Sequence, residues 1–362
     1  MRIIIRHVAD DGPAFNAPAE PRVKIALDAA AGDLGLAPNI EGAVIAADAW
    51  GLKVVLVGPA DKVREALKAR GVGAVDERFE LVDAPDVVSM TDDAAAACRA
   101  RPGVSIMACA ELAAKGAAAG FVSAGHSGAT VVAALWHLKR LEGVLRPAIA
   151  APLPTPQGTT VLLDAGANVD CKPWHLLHFA AMGTLYAQHI LKVTKPRVGI
   201  LSNGEEDSKG NELVKEAIPL LRCSGLEYFG PVEGRDITAG TVDVVVCDGF
   251  VGNVAVKLLE GAGAAIFGML RDEVSRGVIA KAGALALRGP FSRVKKRMSY
   301  DEYGGAPLLG VGGNAVICHG RSNARAVANA LRVASEMAEA GINDRISKRI
   351  EEIKAALEAA RA

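Results

Sequence analysis

Aromatic residues make up only 4% of the 362-residue chain, and its 41 Lys plus Arg residues are matched by 41 Asp plus Glu. The scarcity of rings argues against a base-stacking surface, and the zero formal charge removes the global basic field that draws a protein to nucleic acid. The six cysteines form no C-x-x-C pair, so they read as reduced thiols in a cytoplasmic protein. No G-x-x-x-x-G-K-[ST] loop occurs, and Gly261-Ala-Gly263 lacks the third glycine of a dinucleotide fingerprint. Ser127 stands in Gly125-His-Ser-Gly128, which has the wrong spacing for a nucleophile elbow. His175 and His178 lack further ligands nearby, and are expected on a helix surface or interface rather than on a metal. No cofactor is therefore expected. The apolar run Ile3-Ile4-Ile5 is too short for a secretory signal, and no apolar stretch is read as long enough to span a membrane.

What the chain does have is glycine, 39 residues of it, and a hydrophobic content of 51%. That content suffices for a large buried core. Short apolar runs predict strands at Val23–Leu27, Val54–Val57, Gly120–Val122, Thr160–Leu163, Arg197–Leu201, Val242–Cys247 and Asn314–Cys318, with stretches of helical period between most of them. Such alternation predicts an α/β fold, a three-layer open and mostly parallel sheet with helices on both faces. Residues 1–22 are rich in proline and read as a flexible extension, 23–340 as the main domain, and 341–362 as an amphipathic helix burying Ile346, Ile350, Ile353 and Leu357.

The predicted strands end in small and polar residues. After the first come Asp28, Gly32 and Asp33; after the third Ser123, Gly125, His126, Ser127 and Gly128; after the fourth Asp164 and Asn168. Further along come Asn203, Glu205, Glu206, Lys209 and Asn211, then Asp248, Gly249, Gly252 and Asn253. Ligands of open α/β sheets sit beyond the carboxyl ends of the strands, and glycine turns that open helices aim N–H groups at anions. These runs are therefore candidate anion contacts. Lys209 is a compact cation suited to phosphate, and the Asn253 amide is a candidate oxyanion donor.

Residues 281–300 hold Lys281, Arg288, Arg293, Lys295, Lys296 and Arg297 and no acidic residue before Asp301. Leu285, Leu287, Phe291, Val294 and Met298 lie between them. The pattern predicts an exposed helical hairpin turning at Gly289-Pro290. Arg288, Phe291, Arg293, Lys295, Lys296 and Arg297 would dock it on an anionic membrane or an acidic partner.

Together these motifs resemble the PlsX family, the acyl-[acyl-carrier-protein]–phosphate acyltransferases of bacterial phospholipid synthesis. The resemblance is carried by Ser123-Ala-Gly125, by Arg146-Pro-Ala-Ile-Ala150 with Leu153-Pro-Thr155, and by the run Asp164 to Pro173. It continues in Gly204 to Glu212, Glu233-Gly-Arg-Asp236, Val244 to Asn253 and Tyr300 to Gly310. The chain departs from the family pattern at Asp28-Ala-Ala-Ala-Gly-Asp33, where D-A-M-G-G-D is expected, and at His126-Ser127, where Asn-Thr is expected. The resemblance implies a fold related to the phosphate acetyltransferase and isocitrate dehydrogenase group. It further implies a homodimer, transfer of a fatty acyl group from acyl-carrier protein to inorganic phosphate, and a cytoplasmic enzyme touching the inner face of the membrane. Lys209 and Asn253 would be its catalytic pair, and the turns at 125–128 and 164–168 would line the phosphate and thioester pocket. A short-chain transferase using coenzyme A and an inert membrane scaffold are the competing readings.

Overall fold

A computed structural model describes residues 23–73, 76–101, 103–298 and 302–359. The predicted N-terminal extension lies outside the described residues. The first half of the chain runs β1 (Lys24–Asp28), α1 (Leu36–Trp50), β2 (Lys53–Gly58), α2 (Ala60–Ala69), β3 (Phe79–Asp83), α3 (Ala94–Ala100), α4 (Ser105–Ala114), β4 (Gly120–Ser123) and α5 (Ser127–His137). Next come β5 (Ala148–Ile149), β6 (Ala151–Thr155), β7 (Gly158–Leu163), α6 (Pro173–His189), β8 (Val198–Leu201), α7 (Glu212–Arg222), β9 (Tyr228–Val232), α8 (Gly234–Ala239) and β10 (Val244–Val246). The chain continues with α9 (Gly249–Ser275), α10 (Val278–Ala286), α11 (Arg288–Met298), β11 (Ala306–Leu309), β12 (Asn314–Ile317), α12 (Ala324–Glu339) and α13 (Ile342–Ala359).

The strands are mostly parallel, as their apolar runs require, but they form two sheets instead of one. The larger has the order β3-β2-β1-β4-β12-β11-β5 and the smaller β6-β7-β10-β8-β9. Among the described strands, antiparallel pairing is confined to β11 with its two neighbours and to β6 with β7, with one isolated antiparallel bridge between Arg140 and Val311. Only Ala150 separates β5 from β6, so the chain steps from one sheet to the other there. Its N–H donates to the Pro307 carbonyl of β11 at 2.8 Å. β1, β2, β4 and β12 are wholly or mainly buried, which fits runs of Val, Ile and Leu without alternation.

Helices cover both sheets. α1 packs along α12 closely enough that a Cβ at Gly42 would lie 2.7 Å from the Ala324 carbonyl oxygen. α6 is buried on nearly every side, including Leu176, Leu177, Phe179 and Tyr186. His175 and His178 are also buried there, which fits the expected interface and not a free helix surface. The His175 ring accepts the Lys172 N–H at 3.1 Å as a helix cap, and the His178 ring accepts that of Leu145 at 3.3 Å. Desolvation, with the neighbouring His175 charge, pushes His178 down to about 4. α13 buries Ile346, Ile350, Ile353 and Leu357.

α9 changes the expectation about apolar length. It has 27 residues, and an 18-residue window of it has a mean hydropathy of 1.4 with 6% of that window buried, so by length and composition alone it could cross a membrane. Periodicity masked this, because Lys257 and Glu260 interrupt the run. Phe250, Val254 and Leu258 recur at four-residue spacing and are exposed, Leu258 by 68%. α10 and α11 extend this arm, with Ile279, Leu285, Leu287 and Phe291 exposed. The break between them falls at Leu287, before Gly289-Pro290. Pro290 instead occupies the first turn of α11, where a missing N–H leaves no helical bond unmade. The side chains of Lys295, Lys296 and Arg297 lie outside the described residues.

Candidate active site

The loops after the parallel strands gather where the two sheets meet. Asp164, fully buried at the end of β7, ties them together. Its Oδ1 accepts N–H bonds from Ile149 (3.0 Å), Gly166 (3.1 Å) and Ala167 (3.0 Å). Its Oδ2 accepts from the backbone N–H (2.7 Å) and side-chain Nδ2 (2.8 Å) of Asn168. One carboxylate of the smaller sheet thereby grips β5 of the larger. Burial raises its pKa above the ordinary carboxylate value, against the bonds that favour the anion. The Asn168 amide also donates to the Pro147 carbonyl at 2.7 Å, and the Asn168 carbonyl accepts the Gly249 N–H at 2.7 Å.

The start of α9 is pressed onto this loop. A Cβ at Gly252 would lie 1.9 Å from the Asp164 carbonyl oxygen, and one at Gly249 2.7 Å from Asp164 Oδ2. Only glycine fits such an approach. Gly166, at φ +136°, lies against Asn253, so that a Cβ there would be 3.5 Å from the Asn253 Cβ.

A cleft of about 410 Å³ opens at this junction. Asn253 and Ser127 line it beside Gly166, with Ile149, Leu153, Val256 and Ile317 as an apolar wall. Lys257, Glu260, Tyr303 and His319 complete its polar lining. These four escaped sequence reasoning. Lys257 could have been found, since it follows Asn253 by one helical turn, whereas His319 follows a strand that reads as core and Tyr303 precedes one that the sequence did not predict. Another hollow, of about 420 Å³, holds Arg140 and Arg146 but neither Lys209 nor Asn253.

Several of the expected contact residues also make hydrogen bonds within the protein. Asp28 and Ser123 are buried beneath the loops, with Ser123 Oγ donating to Asp28 Oδ2 at 2.8 Å and accepting the Gly125 N–H at 3.0 Å. Asp164 and Asn168 are occupied as described. Asn211 and Asp248 cap α7 and α9, accepting the Val214 N–H at 3.0 Å and the Val251 N–H at 2.9 Å. Asn203 closes its loop by accepting the Gly210 N–H at 2.7 Å, and Glu205 pairs with Arg235 at 2.7 Å. Charge and small size placed all of these at strand ends, but their atoms serve turns and caps.

The altered first turn and the His126-Ser127 pair have local accounts. Gly32, at φ +98°, would bring a Cβ within 2.9 Å of the Ala124 carbonyl, and the Asp33 N–H donates to Gly320 at 2.7 Å. The loops after β1, β4 and β12 thus touch. His126 caps α5 through a long 3.4 Å bond from the Ala129 N–H, and Gly128 packs on its ring. Lys209 is exposed and outside the cleft lining, in the loop after β8. Its side chain packs over Gly204 near Glu206. Among the described residues no carboxylate lies within ion-pair distance of it. β8 is the parallel neighbour of β10, Val246 pairing with Ile200, so the loop bearing Lys209 and the helix bearing Asn253 both follow the same edge of the sheet.

The fold is shared with a phosphotransacetylase from Streptococcus pyogenes, at a TM-score of 0.59 and 17% identity over 88% of this chain and 94% of that one. The EutD phosphotransacetylase from Staphylococcus aureus matches at a TM-score of 0.55 and 16% identity, covering 88% and 94%. At such identities these likenesses establish the fold alone. Residues 23–345 match the family model described as fatty acid synthesis protein. The phosphate acyltransferase of Trichlorobacter lovleyi is 48% identical over 335 residues, 92% of this chain and 96% of that protein. That of Geobacter sulfurreducens is 48% identical over 329 residues, covering 91% and 94%. The chain belongs to this fatty acid synthesis protein family, the PlsX family that its motifs resemble.

The buried Asp28 gives the site a pH signature. Desolvation raises its carboxyl from 3.8 to about 6, against the lowering pull of the Ser105 and Ser123 hydroxyls. Its Oδ1 has no well-aligned hydrogen bond among the described residues. The folded carboxyl binds its proton more tightly than the unfolded one. The associated stability is therefore present below pH 3.8 and lost as pH rises through about 6. Asp28→Asn cannot ionise and should abolish this loss. Urea unfolding at pH 4 and 6.5 should show wild type losing about 1–3 kcal/mol relative to the variant; parallel pH dependence in both proteins would contradict the assignment.

Proposed function

We propose that the protein transfers a fatty acyl group from the thioester of an acyl-carrier protein to inorganic phosphate, yielding an acyl phosphate for phospholipid synthesis. The observation that carries this reading is the cleft itself, where the Asn253 amide stands at the edge of an apolar wall. Hydrogen phosphate is already a nucleophile at neutral pH, so no serine or cysteine nucleophile is required. One phosphate oxygen forms a bond to the acyl carbon, the C–S bond breaks, and the phosphate's proton ends on the carrier thiol. The thioester oxygen gains negative charge in the tetrahedral stage, and a neutral amide donor aimed at it lowers that barrier. Cys171 and Cys247 are poor rival nucleophiles, because burial pushes the first thiol up to about 12 and the second well above its ordinary value.

In this reading Lys209 balances the charge of the approaching phosphate from the neighbouring strand's loop. The exposed apolar stripe of α9 is covered by a second copy of the chain. The arm of α10 and α11 contacts the carrier or the inner membrane face, making the enzyme peripheral rather than spanning. A small coenzyme A substrate would leave that arm without a role, which favours the carrier-protein donor.

Hydroxylamine trapping of acyl phosphate from carrier thioester and phosphate tests the reaction. Lys209→Ala and Asn253→Ala should each lower turnover by roughly 10²–10³-fold without unfolding the protein, and Asn253→Asp should be worse. An Asn253→Asp variant as fast as wild type would show that residue 253 does not face an anion. For the arm, replacing Lys295, Lys296 and Arg297 with Glu should weaken sedimentation with anionic vesicles, each charge being worth about 1 kcal/mol. Unchanged sedimentation and unchanged carrier KM at low salt would leave the arm without either role.

A further inference from the structure

We infer that Lys257 is the residue that holds the phosphate nucleophile in the cleft, an inference that rests on the phosphate acyltransfer reading. Asn253, Val256, Lys257 and Glu260 follow one another at helical spacing along a single face of α9, and all four line the cleft. Among the described residues, Lys257 is the one lysine or arginine in that lining. Its side chain has no carboxylate or hydrogen-bond partner among the described residues, although Glu260 stands only three positions away on the same helix. Its ammonium is thus available to an anion in the cleft.

The charge pattern along the cleft says where that anion sits. Glu260 lies about one turn beyond Lys257 and two beyond Asn253, and repels an anion from its own end. At the other end Ser127 opens α5 and Asn253 stands in the second turn of α9, and neither helix carries an acidic side chain in its first turn. The positive ends of two helix dipoles therefore flank that end, Asp248 at the α9 cap offsetting part of one. Together with Lys257 they favour phosphate between Ser127 and the Asn253–Lys257 pair.

The spacing suits the chemistry. Residues one helical turn apart have Cβ atoms about 5–6 Å from each other, while reacting atoms must come within about 3–3.5 Å. Asn253 can then donate to the thioester oxygen while Lys257 grips a non-attacking phosphate oxygen beside it. Lysine, with three rotatable donors on a compact charge, can follow the phosphate as its attacking oxygen bonds to the acyl carbon. The division of labour is that of a neutral donor for developing charge and a cation for charge already present.

Steady-state kinetics and direct phosphate binding separate this role from that of a solvated lysine. Lys257→Gln removes the charge but keeps a good helix former, and because residue 257 is exposed the thermal unfolding profile should not move. We expect the phosphate KM of Lys257→Gln to rise about 10- to 100-fold, as for loss of a charged hydrogen bond, while the KM for the carrier thioester stays near wild type. Lys257→Arg should recover part of the loss. Inorganic phosphate titrated into wild type should broaden its phosphorus resonance, and Lys257→Gln should abolish the effect. Lys215→Gln, on the exposed surface of α7, should retain wild-type behaviour in both assays. Wild-type acyl phosphate formation with an unchanged phosphate KM and unchanged broadening in Lys257→Gln would overturn the inference alone. Lys257-dependent phosphate binding in a protein that forms no acyl phosphate would support it and overturn the acyl-transfer reading instead.

Discussion

The Asp164 carboxylate is the point on which the site's architecture depends. It sits at the end of β7 in the smaller sheet, yet it accepts the N–H of Ile149 from β5 in the larger one. Its remaining bonds shape residues 166–168 into the turn on which α9 rests. Gly249 and Gly252 allow that contact, and Gly166 then meets Asn253. A buried anion without such partners would cost several kcal/mol; supplied with them, it fixes the register of two sheets and one helix at once. The position of Asn253 is therefore a consequence of a carboxylate that never touches the cleft.

Many of the polar residues at the strand ends are bonded within the turns they form, although Asn203, Glu205 and Asn211 stay exposed. Turn formation and helix capping occupy Asn168, Asn203, Asn211 and Asp248, while Asp28 and Ser123 form a buried pair that holds Gly125. The cleft is left with a short set of exposed groups on α9 and at the start of α5, backed by an apolar wall. Such a surface suits a reaction in which the nucleophile brings its own charge. The protein has to place two partners side by side and stabilise charge as it develops.

Much of the fold was legible because parallel strands buried on both faces read as unbroken apolar runs. β1, β2, β4, β7, β8, β10 and β12 each contain or overlap a predicted run. The strands that escaped have physical reasons: β3 carries Glu80 and Asp83 and has no fully buried residue, β5 has two residues, β6 carries two prolines, and β9 and β11 each contain proline. The division into two sheets was not legible, since it rests on pairings between residues far apart in the chain. Glycine and charge at strand ends located the site's neighbourhood but could not separate an Asn that caps a helix from one that faces a cleft. That distinction depends on where the first helical N–H groups point. Lys257 was hidden because it lies inside helix α9, beyond the strand-end residues that marked the site's neighbourhood.

The central claim is that phosphate, rather than water, attacks the acyl carbon in the cleft beside Asn253. Phosphate labelled with heavy oxygen, supplied with acyl-carrier protein thioester and followed by mass spectrometry, tests it most directly. The account expects acyl phosphate that keeps every labelled oxygen, including the one joined to the acyl carbon. Free fatty acid carrying oxygen from the solvent, with no labelled acyl phosphate at any time, would contradict it.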